Sequence, residues 1–237
     1  MNFRLPEPDT GARYCSLPVR LTGRMCAHML NLIAGLLLLC AFPAWGQGEP
    51  LFEATAAGRL DEVERLLGAR AAVNARNADG ETPLYIATEH GHKEVARFLL
   101  DKGGDVKIAT RNGETVLHAA ALNGDPDLMT LLLARGAEVN RANLDGERPL
   151  SWAAMAGAGR AAQLLIDGGA DKNAVDANGN SALHGAADGG HETTVWLLLD
   201  QGANPALRNR AGDTALDIAR KRGHGSIVDL LQRKTKK

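Results

Sequence analysis

Gly80-Glu81-Thr82-Pro83-Leu84-Tyr85-Ile86-Ala87, closed by Gly91, returns 33 residues later as Gly113-Glu114-Thr115-Val116-Leu117-His118-Ala119-Ala120, closed by Gly124. The leading glycine column continues through Gly146, Gly179 and Gly212. The leucine column runs Leu51, Leu84, Leu117, Leu150, Leu183 and Leu216, and the closing glycines run from Gly58 to Gly223 at the same step. Several columns in register at one period identify an array of structural repeats. Within a unit, Thr82 is placed to cap a helix and Pro83 suits its first turn, where a missing N–H costs nothing. That short helix stops at Gly91, a residue able to take the left-handed conformation beyond a helix end. Residues 93–101 carry Val95, Phe98, Leu99 and Leu100 at helical spacing. Gly103-Gly104-Asp105-Val106 then leads to Asn112-Gly113, a turn signal for a hairpin tip. Neither helix can bury its apolar stripe inside its own unit, so neighbouring units must stack.

Composition agrees. Hydrophobic residues make up 45% of the 237-residue chain but aromatics only 4%, with 27 Gly. A single large core relies on aromatic volume. Alanine, leucine and regularly placed glycine suit thin layers of close-packed helices instead.

These residues resemble the ankyrin repeat, whose pattern has a Gly-containing tip, Thr-Pro-Leu-His, Ala-Ala, Gly-His, paired Leu, and Gly-Ala-Asp-Val-Asn. The resemblance rests on the two stretches above and on Gly179-Asn180-Ser181-Ala182-Leu183-His184-Gly185-Ala186-Ala187. The end of the motif stands in Gly136-Ala137-Glu138-Val139-Asn140 and Gly168-Gly169-Ala170-Asp171-Lys172-Asn173. It implies an all-α solenoid of about six repeats with β-hairpin loops: 48–77, 78–110, 111–143, 144–176, 177–209 and 210–233, followed by a basic tail, 234–237. The first and last units depart from the pattern and carry polar residues, as end caps should.

Seven His raise the question of metal or acid–base chemistry. The resemblance gives His118 and His184 a hydrogen bond to the adjacent hairpin, and places His92, His191 and His224 where the second helix opens. No His-x-x-x-His or Cys-x-x-Cys spacing occurs. Ser16, Ser151, Ser181 and Ser226 sit in no nucleophile elbow, and no glycine precedes a Lys-Ser/Thr pair. The reading is therefore a protein without catalytic residues, cofactor, metal or small-molecule substrate, and a monomer that binds a protein partner.

In the resembled family the tips and the exposed end of the first helix line a concave groove. By register the candidate residues here are Asp79, Glu81, Glu89 and His90; Arg111, Asn112, Glu114, Leu122 and Asn123; Leu144, Asp145, Glu147, Trp152 and Met155; Asn178 and Asp188; Arg210, Lys221 and Arg222. Leu122, Leu144, Trp152 and Met155 put an apolar cluster at mid-groove, the usual character of an interface anchor. The opposing reading has Trp152 packing between repeats with Leu122 and Met155 flanking it. Trp196, on the outer helix, is expected to face solvent.

Residues 1–46 read as an export signal: Arg4, Arg13, Arg20 and Arg24, then an apolar stretch over 30–42, then Ala44-Trp45-Gly46. The thirteen residues of that stretch fall short of the roughly 20 that span a bilayer. Cys40 follows Leu39, too large for the position before a lipidated Cys. An uncleaved anchor over residues 25–45 is the alternative. Removing residues 1–46 takes four Arg with Glu7 and Asp9, leaving 23 basic and 26 acidic side chains, a net −3 in place of −1. That balance gives no reason to expect nucleic acid or an anionic membrane surface as partner. Cys15, Cys26 and Cys40 leave with the signal, which suits an oxidising compartment such as the periplasm.

Overall fold

The computed structural model describes residues 50–235, all within the unit Glu49–Lys237. The export and anchor readings for residues 1–46 lie outside the described residues. Among the described residues twelve helices form six pairs: α1 Pro50–Ala56 and α2 Leu60–Gly68, α3 Pro83–Glu89 and α4 Lys93–Asp101, α5 Val116–Asn123 and α6 Pro126–Ala134, α7 Pro149–Met155 and α8 Gly159–Asp167, α9 Ala182–Asp188 and α10 Glu192–Asp200, α11 Ala215–Arg222 and α12 Gly225–Thr235. The α4 boundaries coincide with the spacing-based reading. Helix α12 runs through Lys234, whose ammonium lies 3.8 Å from Asp200, so the predicted tail at 234–237 begins inside the last helix.

The local signals act as their chemistry requires. Thr82 caps α3, its hydroxyl accepting the Tyr85 N–H at 3.2 Å, with Pro83 in the first turn. Gly124 ends α5 at φ +67°, where a side chain would strain the backbone.

Each first helix packs on its own partner and on the first helices of the adjoining pairs. The 33-residue columns explain the closeness. Ala54, Ala87, Ala120, Ala153, Ala186 and Ala219 form one line of wholly buried small side chains along the inner helices. Leu84, Leu117, Leu150 and Leu183 lie beside them, and Leu99, Leu132, Leu165, Leu198 and Leu231 fill the inner side of the outer helices. Burying one leucine contributes about 2 kcal/mol, and the alanines allow the backbones to approach. The result is a continuous core shared between pairs. Among the described residues the hairpins carry no strands. Two hold single bridges, Ala109 with Thr115 and Val175 with Ser181, and the rest are tight turns.

Candidate protein-binding groove

Each tip is built from one short polar side chain. Asn77 Oδ1 accepts the N–H groups of Asp79 (3.0 Å) and Glu81 (2.9 Å). Asn143 does the same for Asp145 and Glu147, Asp176 for Asn178 and Asn180, and Asn209 for Ala211 and Asp213. Two backbone bonds close each turn, such as Asn77 N–H to Glu81 O and Gly80 N–H to Asn77 O, both at 3.0 Å. Tips are then tied to one another. The Arg111 N–H donates to Asp79 O, Leu144 to Asn112 O, Ala177 to Asp145 O and Arg210 to Asn178 O, at 2.7–2.8 Å. This backbone ladder holds five tips in one row.

The outward-facing members of that row are Asp79, Arg111, Asn112, Leu144, Asp145, Asn178 and Arg210. Leu144, at 77% exposure, is the most exposed large apolar side chain among the described residues. Asn123 is exposed, Glu89, Leu122 and Met155 are partly covered, and His90 stacks on His92 with ring centroids 6.1 Å apart.

Several predicted groove residues have inward work. Glu81 and Glu114 are buried. The Glu81 carboxylate accepts from Asn77 Nδ2 at 2.8 Å, and Glu114 accepts from the Tyr85 hydroxyl (3.1 Å) and Thr110 Oγ1 (3.3 Å). Glu147 accepts from Asn143 Nδ2 and, at 2.9 Å, from the Trp152 indole N–H. The acidic lining expected from register is thus mostly the inner bracing of the turns: a carboxylate two residues past the tip can fold back onto the residue that caps it. Trp152 is partly buried, packs on the core and meets the His118 ring edge-on at 5.4 Å. That packing is the one the inter-repeat reading describes. Met155 leans on the next repeat, where Gly185 leaves it room. At the basic end Arg222 pairs with Asp188 (2.6 Å) and Lys221 with Asp213, so neither is an unengaged cation. The Asp188 carboxylate also raises the Arg222 pKa.

Sequence reasoning saw less of the bonds between repeats. His118 accepts the Thr115 N–H on Nδ1 (3.0 Å) and donates from Nε2 to Glu147 O (3.2 Å). His184 repeats this with Ser181 and Asp213 O. The resemblance implied these bonds. It gave no bonding role to His92, His191 and His224, whose Nε2 atoms reach back to Ala56 O, Met155 O and Asp188 O at 2.9, 2.9 and 3.1 Å. Nor did it give one to Asn74, Asn140 and Asn173, whose Oδ1 atoms accept Asp105, Asp171 and Asn204 N–H. The signal available was the period itself, since the members of each set stand at multiples of 33 residues.

Among the described residues no group of three or more His, Cys, Asp or Glu side chains is placed to hold a metal ion, and no helix is long and apolar enough to cross a membrane. The chain matches no curated protein. The family model for ankyrin repeats (3 copies) matches residues 51–143 and 150–237, most of the chain. With six helix pairs, tied tips and this match, the chain belongs to the ankyrin-repeat family.

Proposed function

We propose that this protein is an exported scaffold or regulator that binds a partner protein through its row of tips and the adjoining groove. Ankyrin repeats are in general non-enzymatic protein–protein interaction modules. The observation that carries the reading here is Leu144: a large apolar side chain stands 77% exposed on a tip whose backbone is fixed by its neighbours. An exposed apolar group on a preformed surface is costly to hydrate and loses little entropy on binding. Arg111 and Asp145 beside it supply charges of both signs to orient a partner. Export rests on the basic and apolar pattern of residues 1–46, and the periplasm is the compartment proposed. A membrane-tethered adaptor, held by residues 25–45, is the second form of the same function.

Leu144→Asp tests the groove. The side chain is outside the core, so the denaturation midpoint should stay within about 0.5 kcal/mol of wild type. A partner identified by cross-linking in the native compartment should be lost from the variant. Retention at wild-type yield refutes the Leu144 reading. Mass spectrometry of the mature N-terminus tests the export proposal: a chain beginning at Gln47 excludes the tether, and an intact Met1 excludes cleavage.

A further inference from the structure

At three junctions the bend between a first and second helix is filled from the next repeat. The His92 ring lies against Gly58, the His191 ring against Gly157 and the His224 ring against Gly190. Each ring ends on a carbonyl of the earlier repeat. At Gly124 the column residue is Ala158, whose methyl group closes directly on the glycine. At Gly91 it is Asp125, and nothing lies over the glycine within contact distance. A cavity of about 360 Å³ opens there, lined by Thr88, Gly91, Lys93, Asn123, Asp125 and Leu128 among others. The outer helices α4 and α6 on either side make little contact, whereas the other adjacent outer helices pack together.

The chemistry of this slot is defined. Asp125 is 8% exposed and caps α6, its Oδ1 accepting the N–H groups of Asp127 (3.1 Å) and Leu128 (3.3 Å). Its Oδ2 is buried and accepts from no backbone N–H. Its partner is the Lys93 ammonium, 3.0 Å away, whose side chain is half exposed at the rim. Burial pushes the Asp125 pKa up, but Lys93 and the Leu128 and Asp127 amides together carry it below its ordinary value, so the slot holds a carboxylate. The carbonyl equivalent to those used by the histidines, Glu89 O, lies on the same side and accepts Asn123 Nδ2 at 3.0 Å. A carbonyl oxygen has two lone pairs and can take a second donor. The site therefore offers a gap over a glycine where three other junctions hold a ring, a buried acceptor with negative charge and a second acceptor beyond it.

We propose that this slot receives one planar, N–H-donating cationic side chain of a bound protein, an imidazolium or guanidinium group, in the place that His92, His191 and His224 fill from within the chain at their junctions. The bound group donates to Asp125 Oδ2 and displaces Lys93 into solvent. The assignment rests on the protein-binding function, but free probes test it without any partner. Isotopically labelled full-length chain is titrated with imidazole and, separately, methylguanidinium. Saturable amide shifts are expected at Gly91, Asn123, Asp125 and Leu128 and not at Gly58, Gly157 or Gly190. Asp125→His, which places in this column the residue that three other junctions already hold, is expected to abolish them. Lys93→Ala is expected to tighten binding by removing the competing cation. Response to imidazole alone names a histidine, to methylguanidinium alone an arginine. Absence of saturable shifts with both probes, equal shifts at the filled bends, or shifts that persist in Asp125→His overturn the proposal. Probe binding in a protein that captures no partner would sink the groove function and leave the slot standing.

Discussion

Acidification from pH 7 to pH 4 should strip stability from the array through His118. The residue is fully buried. The Thr115 N–H points at its Nδ1, so that atom must stay an acceptor, and Nε2 carries the proton given to Glu147 O. A second proton has no place to go: on Nδ1 it would face another N–H. Burial, the largest cause, lowers the pKa from 6.5 to about 4, Arg141 acts in the same direction, and the Glu147 carbonyl opposes them. The folded state thus binds fewer protons than the unfolded chain between those values. Stability is fully present above pH 6.5, falls as pH drops towards about 4, and loses nothing more from this group below that. A gap from 6.5 to about 4 is worth about 3 kcal/mol at its limit. His184, lowered chiefly by burial, adds in the same sense. Asp125 and Asp217, whose pKa values are held below the ordinary 3.8, lose their contribution only at lower pH, so the windows separate. Urea denaturation at half-unit steps from pH 7.5 to 4 reads the curve, with His118→Gln as reference. The wild type should lose about 2 kcal/mol or more relative to that variant by pH 4.5. Parallel curves for the two proteins would refute the argument.

Other changes probe the ladder and the core. Lys107 stands in the column of Asn74, Asn140 and Asn173 but has only donors, so Lys107→Asn should restore a bond to the next repeat and raise stability by about 1 kcal/mol in urea denaturation. Leu150→Ala should cost about 2–5 kcal/mol by the same measurement, with Leu51→Ala, at the end of the described array, costing less; a neutral Leu150→Ala would break the column assignment. Gly157→Ala meets both a left-handed backbone, φ +68°, and the His191 ring, and its thermal midpoint should drop by several degrees, whereas Gly136→Ala, strained in φ alone, should drop less.

What the sequence made legible is whatever repeats as the same residue. Glycine, leucine and alanine recur because the bend, the core and the close approach of helices each demand one kind of side chain. Periodicity therefore places α4 to the residue and makes Leu117, Leu150 and Leu183 equivalent before any coordinates. The groove was less legible because register says where a position points when the chain has ideal geometry, and says nothing of what its side chain bonds to. Glu81, Glu114 and Glu147 start at the groove edge and turn inward, since Asn77, Thr110 and Asn143 present donors four residues earlier. Trp152 turns because Glu147 offers its indole an acceptor.

The harder columns are those in which one task passes between residue types. His118 performs two tasks, capping its helix through Nδ1 and reaching the next hairpin through Nε2. Asp217, in the same column, keeps the first: its Oδ2 accepts the Thr214 N–H and hydroxyl at 3.0 and 2.7 Å, and an ionised carboxylate has no donor for the second. Tyr85 keeps the second with a different atom, its hydroxyl donating to the Glu114 carboxylate in place of a ring nitrogen to a backbone carbonyl. Thr82 then caps α3 by accepting the N–H of Tyr85 itself. The outer-turn column behaves likewise: where Asp125 replaces histidine, Asn123 supplies an N–H to Glu89 O from two positions earlier, and the volume of the ring is left open. A hydrogen-bonding task can be handed to a neighbour, whereas lost volume is either closed by approach, as the Ala158 methyl closes on Gly124, or left open, as at Gly91.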